Sequence, residues 1–327
     1  MDRYEVTFAD PGDTFLPDDP AQHDHSFGLN REHFAGLPVR APGQGADPSE
    51  QVAWLVYDES HHDADSNESD LADDLDGLLA NVDPGRVEAL AVTGYGSTNA
   101  PRVLAAYADR LPALRSVFLG FIGTETWEIS WIRQGDITPL LAAYPKLERL
   151  EVRGSEGLVL RPVAHEHLRV LRFECGGLPG EVVRAVSAST FPALEHLELW
   201  LGVEDYGGDA TIADLEGILS GVRLPVLRRL GLRDSERQDE VAAAVAAAPV
   251  VARLEELSLG MGLLTDRGAE ALLSGQPLTH LRVLDLRHHF LRDAMISRMQ
   301  EALPGIVDLQ ERQVPEADDW MYVAVAE

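Results

Sequence analysis

Leu227-Arg228-Arg229-Leu230-Gly231-Leu232, Leu254-Glu255-Glu256-Leu257-Ser258-Leu259 and Leu281-Arg282-Val283-Leu284-Asp285-Leu286 stand 27 residues apart and share one phrase. Each has an apolar anchor, two variable residues, an apolar residue, one variable residue and a last apolar residue. Working outward, the phrase returns at Leu114-Val117-Leu119, Leu147-Leu150-Val152, Leu168-Leu171-Phe173 and Leu194-Leu197-Leu199. Val87-Leu90-Val92 is an earlier rung, Val52–Tyr57 a degenerate first one, and a weaker one starts at Ile306. A phrase repeated this often at 20–30 residues describes an array that buries its core by stacking. Such arrays present long surfaces and rarely build one deep catalytic pocket.

The segments between rungs read as helices. Arg102–Arg110, Ile137–Ala143, Glu181–Ser187, Ile212–Leu219, Asp239–Ala248, Arg267–Leu273 and Asp293–Ala302 carry apolar residues three and four apart. Leu71, Leu75, Leu78 and Leu79 predict another, with an acidic outer face. Pro112, Pro145, Pro192, Pro225 and Pro304 precede strands and stop the helices before them, because proline has no amide donor. Thr265 and Asp266 form a helix start, a hydroxyl cap followed by an acid in the first turn.

Geometry follows from these pieces. In a strand the last two apolar positions of each phrase point into the core, and the residue between them points out. Strands stack about 4.8 Å apart and helices need roughly 10 Å. An α/β horseshoe is expected, with a parallel sheet on the concave face and helices on the convex face. Three regions are expected: an irregular extension and cap over 1–50, a solenoid over 51–310, and a tail over 311–327. The extension includes a short strand at Tyr4–Phe8 and an ordered segment at His33–Val39. The alternation in Asp319–Ala326 predicts a strand that extends the sheet edge or folds back as a cap.

The chain has 327 residues and a formal net charge of -28. Such a surface repels nucleic acid and anionic lipid, whose binding needs clustered cations. The acidity reads first as solubility or a salt-adapted surface, with selection for a basic partner as the alternative. No stretch reaches the roughly 18–20 apolar residues of a membrane helix, and the start lacks the basic and apolar run of a signal peptide. Cys175 is the one cysteine, which excludes an intrachain disulfide and fits a cytoplasmic location.

The rungs resemble leucine-rich repeats of the ribonuclease-inhibitor-like class, one strand and one helix per rung, over about residues 50–310. Glu128-Ile129-Ser130-Trp131-Ile132-Arg133-Gln134-Gly135-Asp136 and Glu198-Leu199-Trp200-Leu201-Gly202 are also similar to stretches of a bacterial, mostly actinobacterial, leucine-rich-repeat family. That resemblance implies the fold and brings no activity with it. The asparagine that usually follows the strand is mostly absent here; Asp234 and Gly260 stand near its place.

The outward face follows from the phrase. Its candidate partner-binding residues are Phe118, Arg149, Glu151, Arg153, Arg172, Glu198, Arg229, Arg233 and Arg287. Arginine and aromatic residues are favoured interface anchors. The competing reading is a solvated sheet laced with cross-strand ion pairs such as Arg149, Glu151 and Arg172. Two insertions, Phe121–Asp136 and Trp200–Asp209, leave the same strand end two rungs apart. They offer an aromatic and acidic rim of Trp127, Trp131, Trp200, Glu204, Asp205, Tyr206 and Asp209. Tryptophans that plug irregular rungs are the alternative.

No catalytic constellation emerges. His23, His25, His61 and His62 lie in acidic segments, and the adjacent His288 and His289 face opposite ways on a strand. No metal site and no cofactor are expected. A carboxylate beside Cys175 disfavours its thiolate, so that residue reads as turn filler. The expectation is a non-enzymatic module that binds another protein through the outward face and one rim. A small-ligand or cation site built by loops 121–136 and 200–209 is the alternative.

Overall fold

The computed structural model describes residues 33–42, 51–58, 69–94, 97–122, 128–315 and 320–326. It divides into two compact units. The first runs to Arg161 and takes back His165–Leu168; the second comprises Pro162–Ala164 and Arg169 onward.

In the first unit, β1 (His33–Phe34) and β2 (Leu37–Arg40) form an antiparallel hairpin turning at Ala35 and Gly36, both with positive φ. β2 then pairs parallel with β3 (Ala53–Tyr57), and β4 (Ala89–Thr93), β5 (Ser116–Leu119) and β6 (Arg149–Arg153) follow in chain order, all parallel. Register puts Leu90, Val117 and Leu150 side by side, as it does Val92, Leu119 and Val152. Helices α1 (Ser69–Asn81), α2 (Ala100–Ala106) and α3 (Thr138–Ala143) supply the crossovers that parallel strands need. α1 buries Leu71, Leu75 and Leu78, the spacing read from the sequence. Proline in the first turn of α2 and of α3 costs no hydrogen bond, since the first amides of a helix lack intrahelical partners.

The second unit repeats the plan. β7 (Val170–Glu174), β8 (His196–Gly202), β9 (Arg229–Ser235), β10 (Glu256–Ser258), β11 (Val283–Asp285) and β12 (Val307–Asp308) are parallel neighbours in chain order. Leu171, Leu197, Leu230, Leu257, Leu284 and Val307 share one register line. The first five are fully buried. Each such leucine removed from water contributes about 1.5–3 kcal/mol, which is why the phrase fixes the register. α4 (Gly180–Ala188), α5 (Glu216–Ser220), α6 (Gln238–Val245), α7 (Asp266–Ser274) and α8 (Asp293–Ala302) link or follow these strands. At α7 the Thr265 hydroxyl accepts the Arg267 amide, the cap expected there.

One expectation is not met and another is not addressed. The Tyr4–Phe8 strand lies outside the described residues. Residues 320–326 are not a strand; they run irregularly across the second unit, as detailed below. Among the described residues no helix is long and apolar enough to cross a membrane.

Candidate functional site

Alternate strand residues point away from the leucine core, and these outward side chains hold most of the candidate site. In the first unit they begin small: Ala53, Ala89 and Ala91 leave a hollow on the outward face. Phe34 of β1 fills it, its ring centroid 5.6 Å from that of Phe118. Phe121 meets Phe118 edge-on at 5.2 Å, and the Arg153 guanidinium stands 5.4 Å from the same ring. Phe118 is therefore a core residue of this face.

Arg149 Nη1 donates to Glu151 Oε1 at 2.8 Å along β6. Arg153 donates to the Ile122 carbonyl at 2.7 Å, and the Gln134 amide donates to the Arg153 carbonyl at 2.7 Å. All four of these side chains are buried. The first insertion is thus fastened beneath by Gln134, with Ile129 and Ile132 also buried. Trp131, between those isoleucines, is 58% exposed. It plugs nothing. Trp127 lies outside the described residues.

The second unit carries a connected charge network. Glu198 on β8 accepts from Trp200 Nε1 at 2.7 Å and from Arg233 Nη1 at 3.0 Å. Arg172 Nη2 reaches Glu198 at 3.4 Å and Glu174 at 3.1 Å. Arg233 continues to Asp285 at 3.6 Å, and Asp285 also takes Arg287 Nε at 2.9 Å and the Ser258 hydroxyl at 2.7 Å. Arg229 pairs with Glu256 at 3.3 Å.

This network is buried: Glu198 is 1% exposed, and Arg172, Arg229, Arg233 and Arg287 are all under a tenth exposed. A partner-binding face was expected here, with a solvated, ion-paired sheet as the competing reading. Ion pairing across the strands is present, as one of the sequence readings held, but it is desolvated. Burial alone would raise the Glu198 carboxyl; Arg172 and Arg233, with His196, instead hold it well below the usual carboxylate range. Burial pushes His196, 3.4 Å from Glu198, down to about 4. It stays neutral at physiological pH.

The second insertion folds onto the turn after β7. Leu178 N–H donates to the Leu201 carbonyl and Val203 N–H to that of Gly176. Trp200 is fully buried, which departs from the expected aromatic rim; it serves the Glu198 network instead. Asp205 is exposed and Tyr206 half-buried. Asp209 accepts the Gly180 amide at 2.6 Å at the start of α4, a structural use of that carboxylate. Cys175 is buried, its thiol 3.5 Å from the Trp200 carbonyl.

One part of this chemistry was not read from the sequence. The end of β9 and the turns after β10 and β11 place Asp234, Met261 and His288 at one repeat position, each buried and each with positive φ. Their 27-residue spacing was visible, but their non-glycine identities concealed the conformation.

No protein-family model matches the chain, and no curated relative does. Among solved structures, the chain is similar to a crystal structure of a protein from Bacteroides fragilis. The two are 29% identical, with a TM-score of 0.68, over 73% of this chain and 70% of that one.

Proposed function

We propose that the chain is a non-enzymatic, cytoplasmic protein-binding module of leucine-rich-repeat type, which holds its partner through a strand-end rim beside the outward sheet face. Strand order, register and the alternation of strand and helix within each unit support the repeat assignment. The observation that carries the binding reading is Trp131: a large aromatic 58% exposed on a loop pinned on both sides by buried isoleucines. A rigid exposed tryptophan offers contact area at low entropic cost, the usual character of an interface anchor. Arg133 and Glu156, paired at 3.3 Å, and the 40% exposed Val159 belong to the same loop pairing.

The buried arginines Arg149, Arg153, Arg172, Arg229, Arg233 and Arg287 take a supporting part in this reading. Within each unit they fix the outward side chains in one geometry, and in the first unit Arg153 bonds the Ile122 carbonyl at the start of the Trp131 insertion. The test is affinity capture from native lysate with wild type and Trp131→Ala, paired with thermal melts. A partner held stoichiometrically by wild type and lost by the variant, at unchanged melting temperature, supports the reading. Equal retention by both overturns it.

A further inference from the structure

Residues 320–326 cross the ends of three successive strands of the second unit. The Tyr322 carbonyl lies 2.8 Å from His288 Nε2, which must donate, since a carbonyl only accepts. Ala324 N–H donates to the Met261 carbonyl at 2.7 Å, and Val325 N–H to Asp234 Oδ1 at 3.0 Å. The contacts therefore step from the turn after β11 to the turn after β10 to the end of β9. Val323 and Val325 are buried, while Trp320 is 58% exposed. Tyr322 packs edge-on against His288 and Phe290 at 5.6 and 6.2 Å.

The receiving positions are unusual in a shared way. Asp234, Met261 and His288 have φ of 59°, 71° and 57°, and Glu311, one rung on, has 60°. Residues bearing side chains rarely adopt this region. In the first unit, the residues two past Val92 and Val152 are Gly94 and Gly154, also at positive φ, where glycine meets the need without strain. Where the tail crosses, glycine is replaced by a carboxylate, a methionine and an imidazole. Strain of this kind gathers at ligand clamps.

The backbone amides of Asp234, Met261 and His288 bond the neighbouring rungs, whereas all three hydrogen bonds between these positions and the tail engage main-chain atoms of the tail, and they form no strand ladder. Main-chain bonds with pockets for alternate apolar side chains are how extended peptides are recognised.

We propose that the β9–β11 strand ends form an extended-peptide site, and that residues 322–326 are a displaceable stand-in for a segment of a partner protein. The matching segment is extended, uncharged, with apolar residues two apart as in Val323-Ala324-Val325. This site is separate from Trp131, so it fails or stands independently of the capture experiment above.

The test uses the full chain carrying Val323→Asp and Val325→Asp, which frees the tail, and a fluorescein-labelled peptide of residues 320–326, read by fluorescence anisotropy. Binding to the variant, with wild type weaker by about tenfold or more because its own tail competes, is the expected result. Adding Asp234→Ala should remove binding. No binding to the variant, or equal binding to both proteins, overturns the proposal. So does a doubling of mass of the tail-freed variant by light scattering that consumes the site, which would assign it to a second copy. Hydrogen exchange on wild type keeps the question open to refutation if the variant does not fold. Ala324 and Val325 amides must exchange about a hundredfold faster than the Leu230 and Leu232 amides. Equal protection would make the tail a fixed part of the core.

Discussion

Val325 donates its backbone amide to the Asp234 carboxylate from 91 positions further along the chain. That carboxylate is fully buried, and its other oxygen has no hydrogen-bond partner among the described residues. Burial raises the Asp234 carboxyl well above the usual range, against the Val325 amide and the Arg233 charge. A raised folded pKa gives stability at low pH that is lost as pH rises through it. At neutral pH, Asp234 therefore costs the fold something.

Asp234→Asn keeps the acceptor and suits the left-handed turn while removing the charge. Its urea midpoint at pH 7 should exceed wild type by an amount equivalent to about 1–3 kcal/mol, the usual cost of an under-satisfied buried group. The gain should shrink as pH falls from neutral towards about 4 and be gone below that value, where the wild-type carboxyl is protonated in both states. A less stable Asn variant at pH 7 would show that the carboxylate is charged and compensated.

The second prediction concerns the Glu198 network. Trp200→Phe removes the indole donor and leaves the carboxylate with Arg172, Arg233 and His196. A hydrogen bond to a charged acceptor is worth about 1.5–3 kcal/mol, and loss of that order is expected in equilibrium unfolding. Glu198→Ala removes the carboxylate that Arg172 and Arg233 share, leaving them only Glu174 and Asp285, and should cost more, about 3–5 kcal/mol. If Glu198→Ala costs no more than Trp200→Phe, the arginines are hydrated and the network is not desolvated.

How much of this was legible? The strands were, because the leucine phrase reports a buried register line that no other arrangement satisfies. Helix α8 was legible to its bounds, since its apolar spacing has little competition. The outward face was not. Its alternation of charge with leucine reads as solvent on one side, and nothing local distinguishes an arginine in water from one desolvated against Glu198. The hollow left by Ala53, Ala89 and Ala91 signalled a covering residue only in retrospect, because Phe34 lies outside the repeat. The tail misled for a related reason. Alternation in Tyr322–Val325 records two valines buried on one side, and burial of alternate residues does not require pairing to a neighbouring strand. Trp131 and Trp200 sit in similar insertions, yet one is exposed and one buried, a difference set by Glu198 and Arg233 rather than by local sequence.

Titration of the buried histidines gives a third prediction. His196 falls to about 4 in the folded chain, and His165, His288 and His289 are lowered by burial in the same direction. A folded pKa below the unfolded 6.5 leaves stability intact above that value and removes it as pH falls towards the folded one. Stability should therefore decline between about pH 6.5 and 4, with His196 alone contributing on the order of 3 kcal/mol. His196→Gln should flatten that part of the profile. An unchanged slope in the variant would mean that the residue is hydrated when folded.

Gly154 gives the last. It has φ of 87° at the turn position that Asp234, Met261 and His288 occupy in the other unit. Those three turns accommodate side chains; this one does not. A Cβ on Gly154 would stand 2.3 Å from the Ile132 carbonyl oxygen, a backbone atom with no freedom to swing aside. Gly154→Ala combines that clash with a left-handed backbone costing roughly 1–2 kcal/mol for alanine. Destabilisation beyond about 3 kcal/mol is expected, because relief requires moving the strand end or the loop that fixes Trp131. The converse change, Met261→Gly, relieves the same backbone strain at the cost of a buried side chain and should leave the first unit untouched. Thermal melts and hydrogen exchange of the Gln134 amide, which bonds the Glu156 carbonyl in the Trp131 loop, separate the two when read together. Only Gly154→Ala should speed that exchange, and a change in Met261→Gly of equal size would contradict the local account of these positions.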